Sequence, residues 1–122
     1  AETTLTPFEK RLKDSLDWLE STSTERGTIQ IMSMGFDSFD VSAFFDYLRR
    51  LESEQIDTNS IQVFETVLGG KKVYSVMYGN YPTRRQAADN IEKLPDILTR
   101  ASPISRSVGG IQKEIRRLSV EN

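Results

Sequence analysis

Histidine and cysteine are both missing from the 122 residues. That removes the imidazole base of a Ser-His-Asp triad, thiolate nucleophiles, disulfides and cysteine-ligated zinc. Metal ligation would have to be all-oxygen. The carboxylates of "DSFD", Asp37 and Asp40, lack the ligand spacing of a calcium loop. They suit a helix N-terminus, where an acidic side chain caps and meets the positive end of the dipole. Gly69-Gly70 and Gly109-Gly110 lack the further glycines and the Lys-Ser/Thr of a phosphate-binding loop. No motif marks a carboxylate pair for glycoside hydrolysis, and most Asp and Glu fall on solvent faces of predicted helices. No cofactor is expected. The chemistry left is non-covalent: a glutamine, serines and methionines set in strands.

Such groups recognise a ligand only if a scaffold lays them on one surface. "TPFE" at Thr6–Glu9 predicts a helix start, with Thr6 as cap, Pro7 at the first position and Glu9 closing the capping box. Leu5, Phe8, Leu12, Leu16 and Leu19 follow with helical period and Trp18 beside them, the stripe of a helix docked on a domain. "STSTERG" links it to a strand, "TIQIMSM", in which Ile29 and Ile31 point one way and Gln30, Met32 and Met34 the other. A helix from about Phe39 carries Val41, Phe44, Leu48 and Leu51. "SIQVFETVL" and "KVYSVMY" are strands joined by a Gly69-Gly70 hairpin. "PTRRQAADNIEKLP" is a second helix, with a Thr83–Gln86 capping box, a buried stripe of Ala87, Ala88, Ile91 and Leu94, and Pro95 as its stop. After a loop, "PISRSV" is a last strand, punctuated by Gly109-Gly110, and a terminal helix sets Ile111, Ile115 and Leu118 on one face.

The order predicts an α+β fold: an RNP-like, split β-α-β arrangement of four antiparallel strands with two helices on one face, framed by an N-terminal and a C-terminal helix. The expected boundaries are 1–27 for the first helix and linker, 28–118 for the domain and 119–122 for a tail. Alternation sends Tyr74, Val76 and Tyr78 under the two helices. It sends Val73, Ser75 and Met77 to the other face, with Gln30 and Met32. That face, if open, suits a polar polymer with apolar faces. The plain alternative is a solvated sheet, or one covered by a terminal helix.

Bulk properties narrow the partners. Apolar residues make up 37 % and charged residues 28 %, an ordinary globular balance for one domain. The net charge of −2 and pI of about 5.2 oppose nucleic-acid binding. RNA-recognition modules of this fold also stack bases on aromatics of the first and third strands, where this chain has Gln30, Met32, Ser75 and Met77. No apolar run approaches the roughly 18 residues of a membrane span, and no signal peptide is evident. The chain opens on "AETTLTP" without methionine and is expected to be a fragment or a processed form.

The stretch from Thr28 to Ile115 resembles the SPOR domain. The matching text is "GTIQIMS", then "YSVMYGNYPTRRQAADNIEKLP", an aromatic-x-V-x-x-G strand running through a turn into an alanine-rich helix, and the close "PISRSVGGIQKEI". The preceding "RLKDSLDWLESTSTERGTIQI" is similar to versions with a Trp-Leu helix ahead of the first strand, found in inner-membrane cell-division proteins and in proteins linked to secretion or pilus ATPases. The resemblance implies a non-catalytic module that binds peptidoglycan glycan strands stripped of stem peptides by amidases. Such strands are enriched at the septum. It also implies a periplasmic location within an inner-membrane-anchored protein, with cell-division or secretion proteins as possible partners, and no nucleic-acid or membrane contact by this fragment itself. The family's sugar-binding Gln and Ser match Gln30 and Ser33. Its Trp positions fall on Val73 and Ile104, a departure that replaces sugar stacking by apolar contact from Val73, Ile104 and Met77. Arg106 shares the predicted face of Ile104 and is positioned for a charged hydrogen bond. The competing expectation is a protein-interaction module in a secretion or pilus assembly that kept the fold.

Overall fold

A computed structural model of the chain describes residues 4–121, with side chains to 117. The expected apolar position Leu118 and the expected tail at 119–122 lie outside the described side chains. The elements in chain order are α1 (Pro7–Glu20), β1 (Gly27–Gly35), α2 (Val41–Ser53), β2 (Ile61–Leu68), β3 (Lys71–Tyr81), α3 (Arg84–Asn90), α4 (Asp96–Thr99), β4 (Ile104–Ser107) and α5 (Val108–Glu121). The strands form one antiparallel sheet in the order β2-β3-β1-β4. This is the expected split β-α-β order, with β1 and β3 central.

Local chemistry sets the element ends. Thr6 Oγ1 accepts from Glu9 N at 3.2 Å and Glu9 Oε1 accepts from Thr6 N at 3.0 Å, the complete capping box of α1. Asp40 caps α2 by accepting from Ala43 N at 3.2 Å, so "DSFD" serves a helix end. Thr83 caps α3 through Gln86 N at 3.1 Å. Gly69 and Gly70 take φ +59° and +80° in the β2–β3 turn, a region that favours glycine.

The main core lies between the sheet and α2 and α3. Ile29, Ile31, Ile61, Val63 and Val76 meet Phe44, Leu48, Leu51 and Ala87, with Ile97 and Leu98 closing the layer. At one end Phe8 sits against Phe39, Phe44 and Tyr74 with ring centroids 4.7, 5.6 and 5.1 Å apart, within range for favourable tilted and edge contacts. Tyr74, Val76 and Tyr78 pack here as alternation predicts.

Several local expectations are corrected. The helix after Thr83 is α-helical only to Asn90 and tightens into a 3₁₀ turn at Ile91–Lys93. Ala88 is exposed. The expected loop beyond Pro95 holds α4, whose Ile97 and Leu98 enter the core. Gly109-Gly110 lies inside the first turn of α5. There Gly109 N donates to Thr24 O at 3.0 Å, and an added Cβ would stand 3.1 Å from that oxygen. Ser107 Oγ accepts from Gly110 N at 3.1 Å.

The stripe of α1 is rotated from the apolar one. Phe8, Ser15 and Leu19 are buried, while Leu5 and Leu16 are exposed. The cause is the surface that α1 covers: the free edge of β2, whose backbone groups need partners. Ser15 Oγ accepts from Val63 N at 3.0 Å, and Arg11 Nη1 donates to Ile61 O at 3.1 Å and Thr58 O at 3.3 Å. Burial pushes the Arg11 guanidinium below its ordinary pKa. α1 thus crosses the sheet edge, with Phe8 in the core on one face and Leu19 in a second cluster on the other.

β1 is not a regular strand. Gln30 pairs with Met77 but Met32 pairs with Val76, so Ile31 is an extra residue, a β-bulge. Beyond it the faces exchange. Met32 and Met34 join the helix-covered core, and Ser33 shares the face of Gln30. The expectation that Met32 stands beside Gln30 is therefore corrected. A second irregularity sits in β3, where Gly79 at φ +84° lets Tyr81 pair with Gly27.

Candidate functional site

The sheet face opposite α2 and α3 is divided. Over β2 and β3 it is closed by α5 and the C-terminal half of α1. Phe64 and Met77 are fully buried beneath Leu19, Val108 and Ile111, with Ile115 partly buried and Trp18 against Phe64 at 6.3 Å. Ser75 Oγ and Thr66 Oγ1 are hydrogen-bonded to each other at 2.5 Å, both buried. Val73 is 8 % exposed. The expected outward presentation of Val73, Ser75 and Met77 is thus corrected: all three are buried, Met77 beneath α1 and α5 and Ser75 against Thr66. An apolar sheet face with Phe64 and Met77 at its centre must be buried against something, and the apolar stripe of α5 meets that need.

The rest of this face stays open along β1 and β4. Gln30 is half-buried, Ser33 is exposed and Ile104 is 51 % exposed. Gln30 pairs with Ile104 across the β1–β4 ladder, and Thr28 pairs with Arg106 one step away. Thr28 itself is buried, its hydroxyl donating to Gly79 O at 2.8 Å and Tyr78 O at 3.1 Å. Of the eight sequence candidates, the structure leaves Gln30, Ser33, Ile104 and Arg106 on the uncovered part of this face, buries Val73, Ser75 and Met77 on the neighbouring strand, and turns Met32 to the other face.

Arg106 organises this strip. Its Nη1 donates to Gln30 Oε1 at 2.7 Å, and its Nη2 donates to the Glu114 carboxylate of α5. A guanidinium has only donors, so the Gln30 oxygen must face Arg106. The Gln30 NH₂ has no acceptor among the described residues. The strip therefore offers amide donors, the Ser33 hydroxyl and the apolar flank of Ile104. That set suits a neutral ligand with carbonyl or hydroxyl oxygens and a C–H face. Groups whose ionisation burial does shift lie elsewhere. Tyr47, Tyr74 and Tyr81 pack against the helix-covered core, and burial raises all three phenols.

Glu114 is the member of this arrangement that pattern reading misses. Its only sequence signal is an acid eight residues after Arg106, in the second turn of the helix that follows β4. Strand alternation carries no information across that junction.

A model of the SPOR domain matches residues 23–107. The chain belongs to the SPOR domain family. No curated protein matches it. SPOR domains are non-catalytic modules that bind peptidoglycan, target the septum and act on the envelope side. In this SPOR domain α1 precedes the matched stretch and α5 follows it, so both helices on the second sheet face lie outside that stretch. Among the described residues no helix is long and apolar enough to cross a membrane.

Proposed function

We propose that this SPOR domain binds peptidoglycan glycan strands lacking stem peptides, through the open β1–β4 strip. The family supplies the ligand class, and one structural observation supports the site. Gln30 and Ser33, which match the family's sugar-binding Gln and Ser, fall on one face because of the Ile31 bulge, with the exposed Ile104 beside Gln30. Binding would direct a larger envelope protein to the septum or cell wall, with this domain on the periplasmic side of an inner-membrane anchor. The test is co-sedimentation of the purified chain with intact and with amidase-treated sacculi. Enhanced retention on the treated material is expected; equal, negligible retention on both would refute the proposal.

A second reading has its own support. Helices cover the β2–β3 half of the face, and the positions of the family's stacking tryptophans hold Val73, buried, and Ile104. That pattern fits a domain whose sugar face has narrowed and which serves as a protein-interaction module in a secretion or pilus assembly. Loss of sacculus binding together with capture of a defined envelope protein would favour this reading.

A further inference from the structure

We infer that Glu114, on a helix outside the family match, is a positioning residue that sets the donor polarity of the Gln30 site. This rests on the glycan-binding reading above. The chain of contacts is short. Glu114 accepts from Arg106 Nη2, and Arg106 Nη1 donates to Gln30 Oε1 at 2.7 Å. Arg106 is tucked in, with 19 % of its side chain exposed against 35 % for Glu114. Each of its two bonds holds the plane of the guanidinium, and the plane holds the glutamine amide. An unconstrained glutamine can present either its oxygen or its NH₂ after a rotation about its last bond, because that torsion is broad and roughly two-fold. Here the choice is made in advance: oxygen to Arg106, NH₂ to the open side.

The consequence is a selectivity for acceptors. A ligand meets donors at Gln30, so it must bring an acceptor oxygen, of a carbonyl, hydroxyl or ether, as an acetamido-bearing sugar does, and a bare ammonium or hydrocarbon gains nothing there. Pre-setting the amide also removes part of the ordering cost that binding would otherwise carry. The same carboxylate ties α5 to β4, so the placement of a helix that touches no ligand is read at the ligand-facing amide.

The experiment is a set of variants titrated against amidase-treated sacculi. Loss of the Gln30 hydrogen bonds in Gln30→Ala should weaken binding about fivefold, a net hydrogen bond's worth. Gln30→Glu keeps a partner for Arg106 but replaces the donor by an acceptor, so it should bind no better than Gln30→Ala. Glu114→Ala should weaken binding roughly threefold, within that same hydrogen-bond range, and should have no further effect in the Gln30→Ala background. Glu114→Gln, which keeps an acceptor for Arg106, should restore most of the loss. The Gln30 side-chain amide resonances should shift and broaden in Glu114→Ala, a response that a purely structural role for Glu114 would not produce. If Gln30→Ala leaves strong binding unchanged, the site reading fails. If Gln30→Ala weakens binding while Glu114→Ala does not, or the two losses add, the site stands and the role of Glu114 is refuted.

Discussion

Replacing Ser15 by alanine tests whether α1 belongs to the domain or merely lies beside it. The Val63 N–H points out of the free edge of β2 and has Ser15 Oγ as its partner at 3.0 Å. Ser15 and Val63 are both 0 % exposed, so solvent does not replace the lost acceptor. An orphaned buried donor costs about 1–3 kcal/mol. With an unfolding entropy near 2.1 cal/mol/K per residue, a chain of this length loses roughly 4 °C of melting temperature per kcal/mol. The expected fall is therefore about 4–12 °C in a thermal melt, with a matching drop in urea midpoint at unchanged slope. Leu16→Ala, one residue on at an exposed position, should stay within about 0.5 kcal/mol. Hydrogen exchange sharpens the test, because the Val63 amide should be protected in the parent and exchange much faster in Ser15→Ala. A loss no larger than that of Leu16→Ala, with the Val63 amide unprotected in both, would refute the edge-capping role of α1.

Other outcomes follow from packing and ionisation. Gly27→Ala would place a Cβ 2.4 Å from Thr83 O and 2.6 Å from Arg84 Cα, backbone atoms that cannot swing away. The α3 N-terminus must shift, at a cost of about 1–3 kcal/mol or more, seen as a lowered denaturant midpoint. Met77→Ala should cost about 2–5 kcal/mol as a core truncation, whereas Ile104→Ala should leave stability nearly unchanged and weaken sacculus retention. Because burial raises the phenols of Tyr47, Tyr74 and Tyr81 above their ordinary value of 10.0, the folded state holds their protons more tightly than the unfolded state. Stability should be constant with respect to these groups below about pH 10 and fall as pH rises beyond it. Urea midpoints measured from pH 8 to 11 check this, and a Tyr47→Phe, Tyr74→Phe, Tyr81→Phe variant should flatten the decline.

The fold was largely legible because capping and alternation are local. Thr6, Thr83 and the Gly69-Gly70 turn announce themselves within four residues, and Tyr74-x-Val76-x-Tyr78 names its own face. What escaped depends on partners far along the chain. Ser15 is buried because Val63 needs an acceptor, and no periodicity within α1 reveals that. Ala88 looks like a core residue on a wheel, yet it is exposed, and the chain beyond α3 tightens into a 3₁₀ turn that brings Ile91 and Leu94 onto the core. On the site, alternation set Gln30 outward and put Ile104 with Arg106, but Ser33 came from the family resemblance alone, because the bulge that turns it to the same face leaves no mark in the pattern. Met77 was set on the right face, but the cover over it is a tertiary event. It requires α5 to fold back across β2, where Phe64 supplies the apolar target.

The bulge at Ile31 carries a consequence for how this strand tolerates change. Gln30 and Ser33 differ in parity, and an odd interval in a regular strand assigns two residues to opposite sides. One irregular peptide makes odd count as even, so both groups look outward while the isoleucine between them is held inside at 1 % exposure. The pairing of amide and hydroxyl is thus a property of the main chain at one position and of no side chain within the site. A substitution that straightened the strand would invert everything beyond it, sending Ser33 into the core and Met32 and Met34 outward, without altering a single residue of the proposed binding strip.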